Sequence, residues 1–155
     1  MTSEAESPFE LGTDGPKVIL VGVDDTTTSL RAAAYAAGLA RRQGAKVTAV
    51  FVAPVASFAT AAPGGADLAA AHREAARQTA DGLRRRFEEG ARDLGISITF
   101  LTLEGDAFTE IRRIADEIRA DAVVVGASAH AGHRLIGSLA VRLVRAGRWP
   151  VTVVP

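Results

Sequence analysis

Short apolar runs alternate along the chain with longer stretches in which apolar residues recur every three or four positions. The short runs are rich in β-branched residues, as buried strands are, whereas the longer stretches have the spacing of helices. The predicted strands are 18–23, 47–52, 96–103, 123–125 and 151–154. Four helical patterns separate them. This alternation predicts an α/β fold, namely a single doubly wound five-stranded parallel sheet with helices on both faces.

The first two helical patterns have recognisable ends. The segment 26–29 offers several N-cap hydroxyls after the first strand, and Gly44 stands where a C-terminal glycine is expected. A long pattern begins at about Asp67 and continues to Leu94, with one apolar stripe along it. Gly82 and Gly90 interrupt this stretch, each at a cost of about 1 kcal/mol relative to alanine. We therefore expect a long helix that can kink at either glycine.

The last two helical patterns are shorter. Asp106 is the expected N-cap of the third helix, and Ser138 is the expected N-cap of the fourth. The fourth helix should turn Leu139, Ala140, Leu143 and Val144 toward the sheet.

Composition limits the class of protein. The 155 residues suit one domain, with a flexible tail over 1–16 and a folded domain over 17–155. Eighteen basic and 18 acidic residues cancel, so no net field favours nucleic acid or an anionic membrane as a partner. There is no cysteine, and no apolar run reaches the roughly 18 residues of a membrane span. The residues before Lys17 are acidic, unlike a signal peptide, so we expect a cytoplasmic location.

Candidate chemistry is concentrated after the fourth strand. Gly126 ends that strand, a loop containing Gly132 and Gly137 follows, and Ser138 opens a helix. This order points backbone N–H groups and the positive end of a helix dipole at an anion. Ser128 and Ser138 are further possible donors to such an anion.

Charged residues of two loops are further candidates. Arg134 could supplement the backbone donors, whereas His130 and His133 lack the carboxylate or third histidine that a metal site needs. Asp24 follows the first strand, where it serves either as a ligand carboxylate or as a cap of the next helix. The P-loop, the dinucleotide-binding glycine fingerprint and the nucleophile elbow are all missing. The sequence therefore predicts no catalytic residues and no metal site.

Three segments carry a family resemblance: V-I-L-V-G-V-D-D at the first strand, G-A-S with the later G-S in the loop, and W-P-V-T-V-V-P at the end. Together they make residues 17–155 resemble the universal stress protein family. The resemblance implies an adenine nucleotide alpha-hydrolase-like fold and a homodimer formed through Val151, Thr152, Val153 and Val154. One branch of that family binds ATP through the pattern glycine, two residues, glycine, nine residues, glycine and serine or threonine.

The chain departs from that ATP-binding pattern in two ways. Ala129 replaces the second glycine, and seven residues instead of nine lead to Gly137. An alanine penalises positive φ, and a shorter loop redirects N–H groups. The positions that match imply a role for Asp24 at the ribose or adenine and for the Val52 backbone at the adenine. Gly126, Gly137 and Ser138 match the positions that hold phosphates.

Two functions follow from this resemblance. The first is a cytoplasmic stress-response protein that binds ATP or another adenine nucleotide and is not an enzyme, with slow ATP hydrolysis left open. The alternative is a regulatory module of the same fold that binds a partner protein and no nucleotide.

Overall fold

The computed structural model describes residues 15–55, 63–128 and 137–155. Strands and helices alternate throughout this part of the chain. In chain order they are β1 (Val18–Gly22), α1 (Thr27–Gln43), β2 (Lys46–Ala53), α2 (Gly65–Leu94), β3 (Ser97–Glu104), α3 (Ala107–Glu117), β4 (Ala122–Gly126), α4 (Ser138–Ala146) and β5 (Val151–Val154).

The five strands form one parallel sheet in the order β3-β2-β1-β4-β5. This confirms the predicted sheet. The chain builds outward from β1 through β2 to β3, and then returns to add β4 and β5 on the other side. The winding direction therefore reverses between β1 and β4, and the carboxyl ends of these two strands flank the switch point at which open α/β folds bind ligands.

Two hydrophobic layers cover the sheet. Side chains alternate between the faces of a strand, so Ile19 and Val21 belong to one layer and Leu20 to the other. The first layer is covered by α1 and α2, and the second by α3 and α4. None of the helices in the described ranges is long and apolar enough to cross a membrane.

Most predicted helix ends are confirmed. The Thr26 side chain accepts the Ser29 N–H at the start of α1, and Gly44 ends α1 with φ of 62°. Asp106 caps α3. The expected cap of α4 was wrong, since Gly137 is the N-cap, with extended backbone, and Ser138 is already the first helical residue.

The long helix α2 differs from its predicted packing. Its 30 residues span about 45 Å, whereas the eight residues of β3 span about 26 Å. The first half of α2 therefore extends beyond the sheet, and Leu68 is 53% exposed although it lies on the apolar stripe. The helix is continuous through Gly82 and Gly90.

Two further predictions concern α4 and the N-terminal tail. Val144 does not face the sheet as predicted, because its side chain is 55% exposed. The predicted tail lies outside the described residues, apart from Gly15 and Pro16.

Candidate functional site

A cleft of about 100 Å³ opens at the switch point. Its floor is formed by the carboxyl ends of β1, β2 and β4, and its walls are the first residues of α3 and α4. Asp24 and Val52, both predicted as site residues, line it together with Ala107 and Leu139. No sequence pattern selects Ala107 or Leu139 as site residues, although each directly follows a predicted helix cap.

Asp24 closes the turn between β1 and α1. One of its carboxylate oxygens, Oδ1, accepts the Thr26 N–H at 2.9 Å and the Thr26 hydroxyl at 2.5 Å. Its main chain is held by the buried Ser29 hydroxyl, which donates to the Asp24 carbonyl at 2.6 Å and accepts from the Asp24 N–H at 3.0 Å. Within the described residues Oδ2 has no hydrogen-bond partner. Asp24 thus stabilises the local turn and still presents one oxygen to the cleft.

Val52 faces the cleft with its backbone. The register of β1 with β2 ends where Gly22 lies opposite Val50, and the Val23 N–H donates to the Val50 carbonyl at 2.9 Å. The backbone groups of every second residue in a strand point to the same side. The N–H and C=O of Val52 therefore point like those of Val50, toward the space that β1 has left. An unpaired strand edge of this kind offers one donor and one acceptor to a planar heterocycle.

Gly126 allows α1 to approach the end of β4. A Cβ on Gly126 would lie 2.6 Å from the Thr28 carbonyl carbon and 2.7 Å from the Ser29 nitrogen. The Thr28 hydroxyl also donates to the Ala127 carbonyl at 2.7 Å. The packing of the fold itself therefore requires glycine at this position, independently of any phosphate.

Gly137 and Ser128 meet at the start of α4. A Cβ on Gly137 would lie 2.8 Å from the Ser128 Cβ, so this glycine lets the end of β4 and the start of α4 approach each other. Gly126, Ser128, Gly137 and Ser138 are thus brought to one corner of the sheet. Arg134, the remaining predicted site residue, lies outside the described residues, as do Ala129, His130 and His133.

The starts of α1, α3 and α4 all lie at this sheet edge, and they are capped differently. Thr26 caps α1, and Asp106 caps α3 by accepting the Thr109 N–H at 3.0 Å. The α4 N-terminus receives no side-chain cap from its N-cap residue, Gly137. Its Ser138 is exposed. Among these three helix starts, the positive end of the α4 dipole is therefore the one best suited to an anion.

Arg142, which no sequence pattern selects, places a cation beside α3. Both guanidinium nitrogens of Arg142 bind the Asp106 carboxylate, at 3.1 and 3.2 Å, and the guanidinium stacks 4.3 Å from the centre of the Phe108 ring. Hydrogen bonds from Arg142, followed by those from Thr109, lower the pKa of Asp106 from 3.8 to about 2. This pair joins the two helices that form the walls of the cleft.

Asp24 and Ser29 are the polar side chains that line the described part of the cleft, and the Ser29 hydroxyl is occupied by the Asp24 main chain. The arrangement can hold a flat, largely apolar group between Val52 and Leu139, with a helix N-terminus nearby for negative charge. Within the described ranges, no group of three histidine, aspartate or glutamate residues could hold a metal ion.

Comparison with known proteins identifies the family to which the chain belongs. The model of the universal stress protein family matches residues 16–155. A universal stress protein of Methanocaldococcus jannaschii is 30% identical over 141 residues, which cover 89% of this chain and 81% of that protein.

Two solved structures share the fold. A universal stress protein family member from Burkholderia pseudomallei has 28% identity and a TM-score of 0.69, covering 90% of this chain and 96% of its own. A family protein from Arabidopsis thaliana, solved with AMP bound, has 19% identity and a TM-score of 0.65, covering 90% of this chain and 91% of its own. The chain belongs to the universal stress protein family.

Proposed function

We propose that this universal stress protein binds an adenine nucleotide in the switch-point cleft and does not hydrolyse it rapidly. The Val52 backbone receives the adenine, the free Oδ2 of Asp24 binds the ribose or the base, and the phosphates lie at the start of α4. ATP is the nucleotide implied by the family pattern. The proposal includes a cytoplasmic location.

The observation that carries this proposal is that two backbone features lie close together, one in the cleft and one beside it. The edge of β2 at Val52 is free because β1 leaves the sheet at Gly22. The start of α4, whose Leu139 lines the cleft, receives no side-chain cap from its N-cap residue Gly137. The β2 edge suits an adenine ring, and the start of α4 suits negatively charged phosphates. The AMP bound to the Arabidopsis relative is consistent with a ligand of this class.

The described part of the cleft supports the non-catalytic part of the proposal. An attacking water needs a base within hydrogen-bond reach. Asp24 is the one carboxylate that lines the described part of the cleft. Its Oδ1 already accepts two hydrogen bonds from Thr26, and the proposal assigns its Oδ2 to the ribose or the base.

Titration calorimetry of Ser138→Asp with ATP and with adenosine tests the phosphate position. An aspartate at the first position of α4 interacts favourably with the helix dipole, by about 0.3–1 kcal/mol, so the fold is preserved. Its charge repels phosphate, and we expect at least tenfold weaker ATP binding, a loss of about 1.4 kcal/mol, with adenosine binding unchanged. Ser138→Asn, which adds no charge and keeps a hydrogen-bond donor, should bind ATP more tightly than Ser138→Asp. Equal ATP affinity in Ser138→Asp would contradict the phosphate position.

The alternative function is a module that binds a partner protein and no nucleotide. Its support is the size of the cleft, since about 100 Å³ is below the roughly 300–1,000 Å³ of typical small-molecule sites. The packing role of Gly126 also removes one reason to assign a phosphate there. Absence of binding heat with ATP, ADP, AMP and adenosine would favour this module.

We also propose that two copies pair through β5. The Val123 N–H donates to the Pro150 carbonyl, and the Ala127 N–H donates to the Val154 carbonyl. The backbone groups of Val151 and Val153 therefore point away from β4, to the open edge of the sheet. Val153→Pro removes an outward N–H and is compatible with an edge strand. It should give a monomer in sedimentation, whereas Val153→Thr should remain a dimer, and a dimeric Val153→Pro would contradict this pairing.

A further inference from the structure

A second cavity lies on the opposite side of the sheet from α3 and α4. It is a groove of about 220 Å³ between α1 and α2, and its floor is formed by β1, β2 and β3. The α1 wall consists of Leu30, Ala33, Ala34 and Ala37. Small residues on this wall leave a gap where larger side chains would have joined the two helices.

The α2 wall of the groove contains a glycine that the packing of the fold does not explain. Gly90 lines the groove, and a Cβ placed on it would meet no atom within 4 Å. Glycine weakens a helix relative to alanine, so the open space above Gly90 comes at some loss of helix stability. Leu94, also on this wall, remains 42% exposed.

The chemistry of the lining selects the kind of occupant. Arg86 is the one charged side chain among the described lining residues, and no ion pair or hydrogen bond to it occurs within the described part of the chain. The other lining residues are apolar or glycine. An apolar cavity of about 150 Å³ is enough to bind benzene, so this groove has room for a short hydrocarbon chain. A cation beside such a groove favours a ligand with an anionic head group.

We propose that the groove between α1 and α2 binds a medium-chain aliphatic carboxylate. The hydrocarbon lies along Ala33, Ala37 and Gly90, and the carboxylate pairs with Arg86 at the rim. This site is separate from the switch-point cleft and does not depend on nucleotide binding there.

Octanoate and octan-1-ol, titrated into the full chain and followed by NMR, test this proposal. Octanoate should cause saturable shifts of the Ala33 and Ala37 methyl signals. In Arg86→Gln the octanoate affinity should fall at least tenfold, while the weaker octan-1-ol binding stays unchanged because the alcohol carries no charge. Absence of saturable shifts with octanoate would overturn the proposal, as would unchanged octanoate affinity in Arg86→Gln.

A matched pair of glycine variants tests where the hydrocarbon lies. Gly90→Leu fills the groove, so it should abolish binding of both ligands while Tm rises. Gly82→Leu makes the same change on the same helix, at a position that also has open space and does not line the groove. It should raise Tm and leave binding intact. Normal octanoate binding by Gly90→Leu would overturn the proposal.

A second copy of the chain as occupant would give a different result. If Gly90→Leu changes the oligomeric state, the groove is an interface between copies, and the assignment to a carboxylate ligand is overturned.

Discussion

The starts of α1 and α4 lie at the same sheet edge, and each follows a strand that flanks the switch point, yet they are constructed differently. At α1 the side chains of Asp24, Thr26 and Ser29 bind the local main chain. At α4 the N-cap is a glycine without a side chain to offer, and the exposed Ser138 follows it. Because unsatisfied N–H groups at a helix start need an acceptor, α1 supplies its own and α4 is suited to receive one from a ligand.

This contrast shows that a residue matching the family pattern can serve either packing or ligand binding. Gly126 matches a phosphate-binding position of the family pattern, but its closest contacts are the backbone atoms of Thr28 and Ser29. It holds the start of α1 against the end of β4. Gly137 and Ser138 lie at the open helix start, so the argument for an anion depends on them.

The largest expected effect comes from disturbing the contact between Gly126, at the end of β4, and the start of α1. In Gly126→Ala the new Cβ would lie 2.6 Å from the Thr28 carbonyl carbon, and that atom belongs to the backbone. Backbone shifts of this kind cost up to about 3 kcal/mol, and we expect a loss near that value in urea unfolding. Gly82→Ala, with no atom within 4 Å of its new Cβ, should instead stabilise by up to about 1 kcal/mol. Similar stabilities for the two variants would contradict the packing role of Gly126.

A pair of serine variants compares the two helix starts directly. Ser29 is 5% exposed, and its hydroxyl binds both the N–H and the C=O of Asp24. Ser29→Ala removes these two part-buried hydrogen bonds, which costs about 0.5–1.5 kcal/mol for each. Ser138→Ala removes an exposed hydroxyl and should change the free energy of unfolding by less than about 0.5 kcal/mol. Denaturant titration of both variants measures the difference, and an equal loss would show that α4 depends on the Ser138 hydroxyl.

Periodicity predicted the fold well because each element is a local feature of the sequence. The run at 123–125 is apolar at every position, and the structure buries all three side chains in the middle of the sheet. Gly44 ends α1 with positive φ, as its position after an apolar stripe predicted. The exposed first half of α2 was not predictable in this way. An apolar stripe shows which face of a helix is inward, but not how far the sheet beneath it extends.

The candidate site was less predictable because its contacts join distant parts of the chain. The hydrogen bond from Thr28 to Ala127 spans 99 positions, and no local pattern identifies it. The family resemblance selected Asp24 and Val52, and the structure places both in one cleft. It did not select Arg142, whose partner Asp106 is 36 positions away. That pairing depends on the way α3 and α4 pack, which a sequence pattern does not define.

The start of α3 shows a third kind of capping, because its cap, Asp106, is charged and also binds Arg142. Changing it should have the smallest effect on stability. The pKa of Asp106 is lowered from 3.8 to about 2, so its contribution to stability is present above pH 3.8 and is lost as the pH falls through about 2. About half of each side chain is exposed, and solvent screening keeps this contribution below about 1 kcal/mol.

In Arg142→Gln the Asp106 pKa should rise toward 3.8, and the stability of the variant should fall at a higher pH than that of the unmodified chain. Arg145→Gln on the same helix changes a side chain with no ion pair in the described ranges, so it controls for loss of charge. NMR titration of the Asp106 carboxyl carbon measures the shift directly, and an unchanged pKa in Arg142→Gln would show that Thr109 and the helix start, not the ion pair, hold this carboxylate ionised.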